Sequence, residues 1–170
     1  CARVVDQTVD ALGRLDILVN MASVYRSVAF DDLTTEDWNE PLEVDLRSAF
    51  LCTQAAVPYM RRLRGGRVVN ISDWVAASGR PRYPRYLPYY VAKRAVMALT
   101  DAATAHPRVD RDAVAAMGGS FGGYMANWVA GHTNRFRAIV THAILWALDQ
   151  FVPTTDLPAW QKGPTPAEMN

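Results

Sequence analysis

The alternation of hydrophobic and polar positions predicts short apolar strands separated by helices. Hydrophobic side chains recur at near-helical spacing over residues 2–12, and Gly13 follows where a helix C-cap is expected. The other predicted elements are strands over 15–20, 67–71, 113–117 and 138–142, a helix over 89–105, and a helix that follows the glycine-rich turn 118–123 and ends near Gly131. Strands that alternate with helices predict the α/β class, with a small doubly wound, mostly parallel sheet of about four strands and helices on both faces.

A longer helical region occupies the stretch between the first two strands. Thr34 or Thr35 can cap it, because acidic residues follow in its first turn. Helical spacing then continues to about Leu63, and the prolines at positions 41 and 58 predict two interruptions.

The length of 170 residues predicts a single α/β domain over 1–150, followed by a proline-rich, irregular tail over 151–170. Sequence character changes near Thr100, so we expect this domain to consist of two fragments, 1–100 and 101–150. A sheet of four strands leaves an open edge, which either the tail or a second subunit can cover. The sequence favours a homodimer through that edge.

Composition excludes several classes of protein. A hydrophobic content of 50% is ordinary for a soluble globular protein, and a net charge of +1 argues for no particular partner. We expect a small-molecule substrate and no nucleic acid. Nine basic residues and one acid lie between Arg61 and Arg94, which suits either an anionic ligand or, more simply, a solvated surface. The two cysteines have no metal-ligand spacing, and no apolar run is long enough to cross a membrane. We expect a cytoplasmic protein without a metal.

Three motifs in the first fragment carry chemistry. Asn20 ends the first predicted strand, and Ser72 and Asp73 follow the second. Tyr89 and Lys93 are one turn apart on the same face of a predicted helix. A nearby ammonium group favours tyrosinate, which lets a tyrosine exchange protons closer to neutral pH.

This ordered set resembles the short-chain dehydrogenase/reductase family over residues 12–100. The resemblance implies an NADP-dependent reductase in which Tyr89 is the catalytic acid and Lys93 is both its pKa-lowering partner and a ribose ligand. It also implies that Asn20 supports the nicotinamide side of the cofactor pocket. Asp73 stands where most members have serine, a replacement seen in pteridine-reductase-like members, and Ser72 is the adjacent alternative.

The sequence departs from that family at three points. Asp45 stands where the family has an asparagine, and the spacing from Asp73 to Tyr89 is longer than usual. No GxxxGxG or GxGxxG turn occurs in the chain, so the family's first strands and phosphate-binding loop are expected before Cys1. NADP is therefore expected only if the reductase hypothesis is correct.

A different motif dominates the second fragment. Gly118 to Gly122 fit G-x-S-x-G between a predicted strand and a predicted helix, which is the setting of a nucleophile elbow. In such a turn Ser120 is the nucleophile, and the backbone N–H of Phe121 can stabilise an oxyanion. Residues 101–156 resemble the hydrolase domain of prolyl-oligopeptidase-like serine peptidases, which also implies Ser120 as the nucleophile. The triad aspartate and histidine of that family would lie much further along than this chain extends.

One histidine can replace the missing base. His142 ends the strand that follows the elbow, so parallel pairing would bring it to the same sheet edge as Ser120. Asp73 or Asp149 could orient it, and a packed histidine at a strand end is the simpler interpretation of His142. The edge would also collect Tyr89 and the other reductase-like residues.

Three functional hypotheses follow. The leading one is a small promiscuous hydrolase of activated esters that uses Ser120 and His142 and needs no cofactor. The alternative is an NADP-dependent short-chain reductase that works through Tyr89, Lys93 and Asp73. The last is a folded chimera, artificial or accidental, with no evolved activity.

Overall fold

The computed structural model describes residues 1–74, 76 and 84–144. The chain divides into two compact units, Cys1–Arg111 and Asp112–Asn170, which are described separately. The predicted irregular tail and Asp149 lie outside the described residues. Within the described ranges, no helix is both long enough and apolar enough to cross a membrane.

The first unit consists of helices packed against a pair of strands. Its elements are α1 (Ala2–Leu12), β1 (Ile17–Asn20), α2 (Thr35–Pro41), a π-helical segment (Leu42–Arg47), α3 (Ser48–Arg62), β2 (Arg67–Asn70) and α4 (Leu87–Thr104). The two strands are parallel, and Asn20 lies opposite Asn70. The predicted cap of α1 is confirmed: Gly13 adopts φ 77° and its N–H bonds the carbonyl of Val9.

The long helical region between the strands contains one of its two predicted interruptions. Thr34 caps the start of α2 with a capping box. Its side-chain oxygen accepts a hydrogen bond from the backbone N–H of Asp37, and the Asp37 carboxylate accepts one from the backbone N–H of Thr34. At Pro41 the α-helix gives way to the π-helical segment, as expected from a proline. The predicted interruption at Pro58 was wrong, because α3 continues to Arg62. Packing of α3 outweighs the loss of one helical hydrogen bond.

The core of the first unit lies between α1, α3 and β1. Val5 of α1 and Ala56 and Met60 of α3 are at most 5% exposed. The partly buried side chains packed against them are Leu15, Leu18, Ala55 and Tyr59. This core packs α3 against β1, and Asn20 at the end of β1 contacts Ala49 and Thr53 in the first turns of α3.

The second unit contains a strand–helix–strand arrangement. β3 (Ala115–Gly119) leads into α5 (Phe121–His132), and β4 (Ala138–His142) pairs with β3 in parallel, with Gly119 opposite His142. All four predicted strands are present, and the α/β class is confirmed. Among the described residues, however, the strands form two separate two-stranded sheets, β1–β2 and β3–β4, where one four-stranded sheet was predicted.

Candidate active site

Tyr89 and Lys93 lie one turn apart near the start of α4. Pro88 in the first turn suits a helix start, where no backbone donor is needed. The Tyr89 ring is half-buried, whereas Lys93 is only 3% exposed. The ammonium nitrogen of Lys93 lies 5.6 Å from the centroid of the Tyr89 ring. Both side chains therefore lie close together, as the spacing predicts.

The hydroxyl of Tyr89 donates a hydrogen bond to the carboxylate of Asp73, at 2.7 Å. Burial, this hydrogen bond and the charges of Asp73 and Asp45 raise the pKa of Tyr89 well above its ordinary value. The sequence had implied a pKa lowered by Lys93, and that expectation was wrong. The carboxylates of Asp73 and Asp45 raise the pKa of the phenol, and the ammonium of Lys93 is paired with Asp45.

Asp45 forms an ion pair with Lys93. Its carboxylate is buried in the π-helical segment and lies 3.1 Å from the ammonium nitrogen. The same carboxylate accepts from the hydroxyl of Ser23 at 2.6 Å and from the backbone N–H of Val24 at 2.9 Å. Asp45 thus joins α4 to the loop that follows β1.

Sequence reasoning noted Asp45 only as a departure and did not place it in the site. A usable signal was present in the helical spacing. Pro41 and Ala49 lie four residues to either side, and all three positions are buried in the structure. An acid at that spacing is on a buried face, and a buried carboxylate requires a partner.

The end of β2 supplies the remaining contacts of Lys93. Its ammonium lies 3.3 Å from the carbonyl oxygen of Ile71. Ser72 donates its hydroxyl to the Lys93 carbonyl at 2.8 Å. Ser72 therefore anchors the backbone of α4, and Asp73 is the residue that contacts Tyr89.

The side-chain amide of Asn20 makes hydrogen bonds within the first unit. Its amide nitrogen lies 2.8 Å from Oδ1 of Asn70 and 3.1 Å from the hydroxyl of Thr53, with the carbonyl of Ala49 at 3.4 Å. These contacts join β1, β2 and α3. Its predicted contact with a cofactor stays a prediction.

An aromatic cluster and a shallow pocket adjoin Tyr89. Tyr25 stacks on Tyr86 with centroids 4.3 Å apart and meets Tyr89 edge-on at 4.8 Å. The pocket opens beside Tyr89, and its other lining residues are Arg26, Val28, Leu33, Asp37, Glu40, Pro41 and Pro88.

The predicted elbow has formed in the second unit. Ser120 adopts φ 56° and ψ −123° between β3 and α5, a strained conformation for a residue with a side chain. Its backbone N–H donates to the carbonyl of His142 at 3.0 Å. Within the described residues, no hydrogen bond joins the Ser120 hydroxyl to an imidazole. The roles of His142 as base and of Phe121 as oxyanion donor stay predictions.

Two family models match the chain. The short chain dehydrogenase model covers residues 1–117, and the prolyl oligopeptidase family model covers residues 93–169. The two matches overlap in α4 and the start of the second unit. Both resemblances, and with them the chimera-like character of the chain, are confirmed.

Curated relatives match part of the chain. A (2S)-[(R)-hydroxy(phenyl)methyl]succinyl-CoA dehydrogenase subunit of Thauera aromatica is 41% identical over 100 residues, which are 58% of this chain and 38% of the relative. A 3-oxoacyl-[acyl-carrier-protein] reductase of Thermotoga maritima is 39% identical over 83 residues, 49% of this chain and 34% of the relative. The chain thus spans between a third and two fifths of the length of these relatives.

The fold is similar to that of acetoin dehydrogenase YohF from Salmonella typhimurium. The TM-score is 0.62 at 24% identity, over 84% of this chain and 69% of that one. These matches contradict the leading hypothesis from the sequence, an ester hydrolase without a cofactor. The elbow was a correct structural prediction, but the activity inferred from it was wrong, since the dehydrogenase match covers most of the chain.

Proposed function

The chain belongs to the short-chain dehydrogenase family through residues 1–117. We propose that it functions as a nicotinamide-dependent oxidoreductase that interconverts a carbonyl and an alcohol. The observation that carries this proposal is the placement of Asp73 and Lys93 about Tyr89. The tyrosine hydroxyl is within hydrogen-bond distance of a carboxylate, and the lysine is one turn away. Such a set can exchange a proton with a substrate oxygen.

The residues of this site fit part of a nicotinamide cofactor. An ammonium group has three N–H donors, and among the described residues Lys93 has two acceptors, Asp45 and the carbonyl of Ile71. The third donor suits a ribose hydroxyl. The bound nicotinamide would supply the hydride, and this chain's side chains would hold and protonate the substrate oxygen. We propose NADP or NAD, with NADP first, because the surrounding stretch from Arg61 to Arg94 is basic.

The proton for the substrate would come through Tyr89 and Asp73 acting together. With Asp73 ionised, the Tyr89 hydroxyl donates to it, as in the structure. With Asp73 protonated, the carboxyl group donates to the Tyr89 oxygen, and the phenol proton becomes available to a substrate carbonyl. The raised pKa of Tyr89 keeps the phenol protonated but makes it a weaker acid.

The substrate class is proposed from the relatives' names. One is a dehydrogenase of a CoA ester and the other a reductase of an acyl chain on a carrier protein. We therefore propose a 3-oxoacyl thioester, with acetoacetyl-CoA as the probe. The homodimer and the cytoplasmic location stay predictions.

The test follows oxidation of NADPH and NADH by acetoacetyl-CoA with the full chain. Tyr89→Phe should lower kcat about 100-fold or more, because a positioned proton donor contributes at least that factor. Tyr90→Phe is the matched control, one residue along the same helix, and should retain the wild-type rate. Equal rates for Tyr89→Phe and wild type, or no binding of either nucleotide at millimolar concentration, would exclude the proposal.

A further inference from the structure

Tyr25 is an exposed aromatic side chain that is held beside the reactive tyrosine of the site. Its ring stacks on that of Tyr86, with centroids 4.3 Å apart and planes 13° from parallel, and it meets the Tyr89 ring edge-on at 4.8 Å. Tyr25 is nevertheless 60% exposed. An aromatic side chain that is held in place and still reaches solvent suits a binding surface, because a ligand that covers it buries a large apolar area.

The backbone holds Tyr25 from both sides. The N–H of Val24 donates to the buried Asp45 carboxylate at 2.9 Å, and the N–H of Val28 donates to the carbonyl of Arg85 at 2.8 Å. Arg85 directly precedes the ring on which Tyr25 stacks, so backbone and ring contacts join the same two segments. A surface that is already ordered costs little conformational entropy when a ligand binds.

The Tyr25–Tyr86 pair, called the aromatic platform below, lies next to the position of a bound carbonyl group. A substrate oxygen that accepts the Tyr89 proton lies at the Tyr89 hydroxyl. Tyr25 contacts the Tyr89 ring, and its phenol is also among the groups that raise the pKa of Tyr89, as expected for neighbouring phenols. A group attached to the carbonyl carbon is therefore within reach of Tyr25. A flat apolar ring is the group that stacks best on an aromatic side chain.

We propose that the aromatic platform is a specificity-determining surface, which selects 3-oxoacyl thioesters that carry an aromatic ring on the carbonyl carbon. The proposal rests on the proposed function for the reaction itself. In that reaction the carbonyl carbon receives a hydride from the reduced nicotinamide and its oxygen receives the Tyr89 proton, which leaves an alcohol and the oxidised nucleotide. The platform acts on the choice of substrate and takes no part in the transfer of the hydride or the proton.

Two thioesters that differ at one group test this selection. Benzoylacetyl-CoA has a phenyl ring on the carbonyl carbon, and acetoacetyl-CoA has a methyl group there. The measured quantity is the ratio of their kcat/KM values with NADPH and the full chain, because an effect of a substitution on Tyr89 itself cancels in this ratio. Tyr25→Leu should lower the ratio, aryl over methyl, about tenfold, the order of effect expected for the loss of one ring contact.

Two further variants identify the ring as the cause. Tyr25→Phe keeps the ring and should keep the wild-type ratio. Phe30→Leu is the matched control, because Phe30 is the next exposed aromatic side chain along the chain, at 70% exposure. An unchanged ratio in Tyr25→Leu, or an equal fall in Phe30→Leu, overturns the proposal.

Binding without nucleotide separates a failure of the platform from a failure of the proposed function. Equilibrium dialysis of each thioester against the full chain gives its Kd. Benzoylacetyl-CoA should bind more tightly than acetoacetyl-CoA, and Tyr25→Leu should remove this difference while Tyr25→Phe retains it. If the wild-type chain reduces neither thioester, the proposed function fails and dialysis still decides the platform. Equal Kd values for the two thioesters, or no binding of benzoylacetyl-CoA at millimolar concentration, contradict the platform whether or not the chain is a reductase.

Discussion

The Tyr89 hydroxyl donates to Asp73 across 2.7 Å, from the start of α4 to the residues that follow β2. Asp73 thereby accepts a hydrogen bond from the hydroxyl whose proton Tyr89 would need to give to a substrate. Proton donation from this site depends on the protonation state of both groups. Within the part of the chain that the structure describes, the charged groups near the phenol are Asp73, Asp45 and Lys93, and the ring of Tyr25 meets the Tyr89 ring edge-on.

Replacing Asp73 should change the titration of Tyr89. Asp73→Asn removes a charge that raises the pKa of Tyr89, so that pKa should fall toward 10, its ordinary value. The measurement is tyrosinate absorbance at high pH, taken as the difference between each protein and its Tyr89→Phe derivative. Asp101→Asn, on the exposed part of α4, is the control. An unmoved difference curve would show that Asp73 does not act on the phenol.

The raised pKa of Tyr89 also predicts how stability depends on alkaline pH. The folded state holds this proton more tightly than the unfolded state, whose tyrosine titrates near 10. The resulting contribution to stability is complete below pH 10 and is lost as the pH rises further. Urea unfolding from pH 8 to 11 should therefore show a steeper alkaline loss for wild type than for Tyr89→Phe. Tyr59, whose pKa is also raised, contributes to both proteins alike.

Local signals predicted much of the fold. Helix α1 has the predicted bounds because a regular hydrophobic pattern and a glycine cap define it. Strand β4 has the predicted bounds because it is a short apolar run. The division into two sheets could not be predicted in this way. Strand pairing is a long-range property, and four apolar runs of similar character fit one sheet or two.

The site was predictable where chemistry depends on local spacing. The neighbouring placement of Tyr89 and Lys93 was predicted because residues four apart are about one helical turn apart. The part played by Asp45 depends on contacts with residues far away in sequence, Ser23 and Lys93. The sequence shows that Asp45 replaces an asparagine of the family, but it does not show which residues the carboxylate contacts. The sign of the shift in the Tyr89 pKa depends on the same contacts.

A substitution of Asn20 tests whether its amide stabilises the first unit or contacts a cofactor. Its amide bonds Asn70 and Thr53, so Asn20→Ala leaves polar groups between β1, β2 and α3 without their donor. The loss should be about 1–3 kcal/mol, measured as faster hydrogen exchange in peptides that contain β1 and β2. Asn39→Ala, at an exposed position of α2, is the control. Unchanged exchange in Asn20→Ala would assign its amide to another role, such as the predicted cofactor contact.

Ser120 tests the strained turn of the second unit. Its φ of 56° is a strained value that glycine adopts freely, so Ser120→Gly should stabilise the second unit. The gain should be about 1 kcal/mol, measured as slower hydrogen exchange in peptides from residues 112–144. Ser120→Ala keeps the strain and removes only the hydroxyl, so it should leave both this exchange and the reduction of acetoacetyl-CoA unchanged. A large loss of reductase activity in Ser120→Ala would mean that the elbow serine takes part in the chemistry assigned to Tyr89.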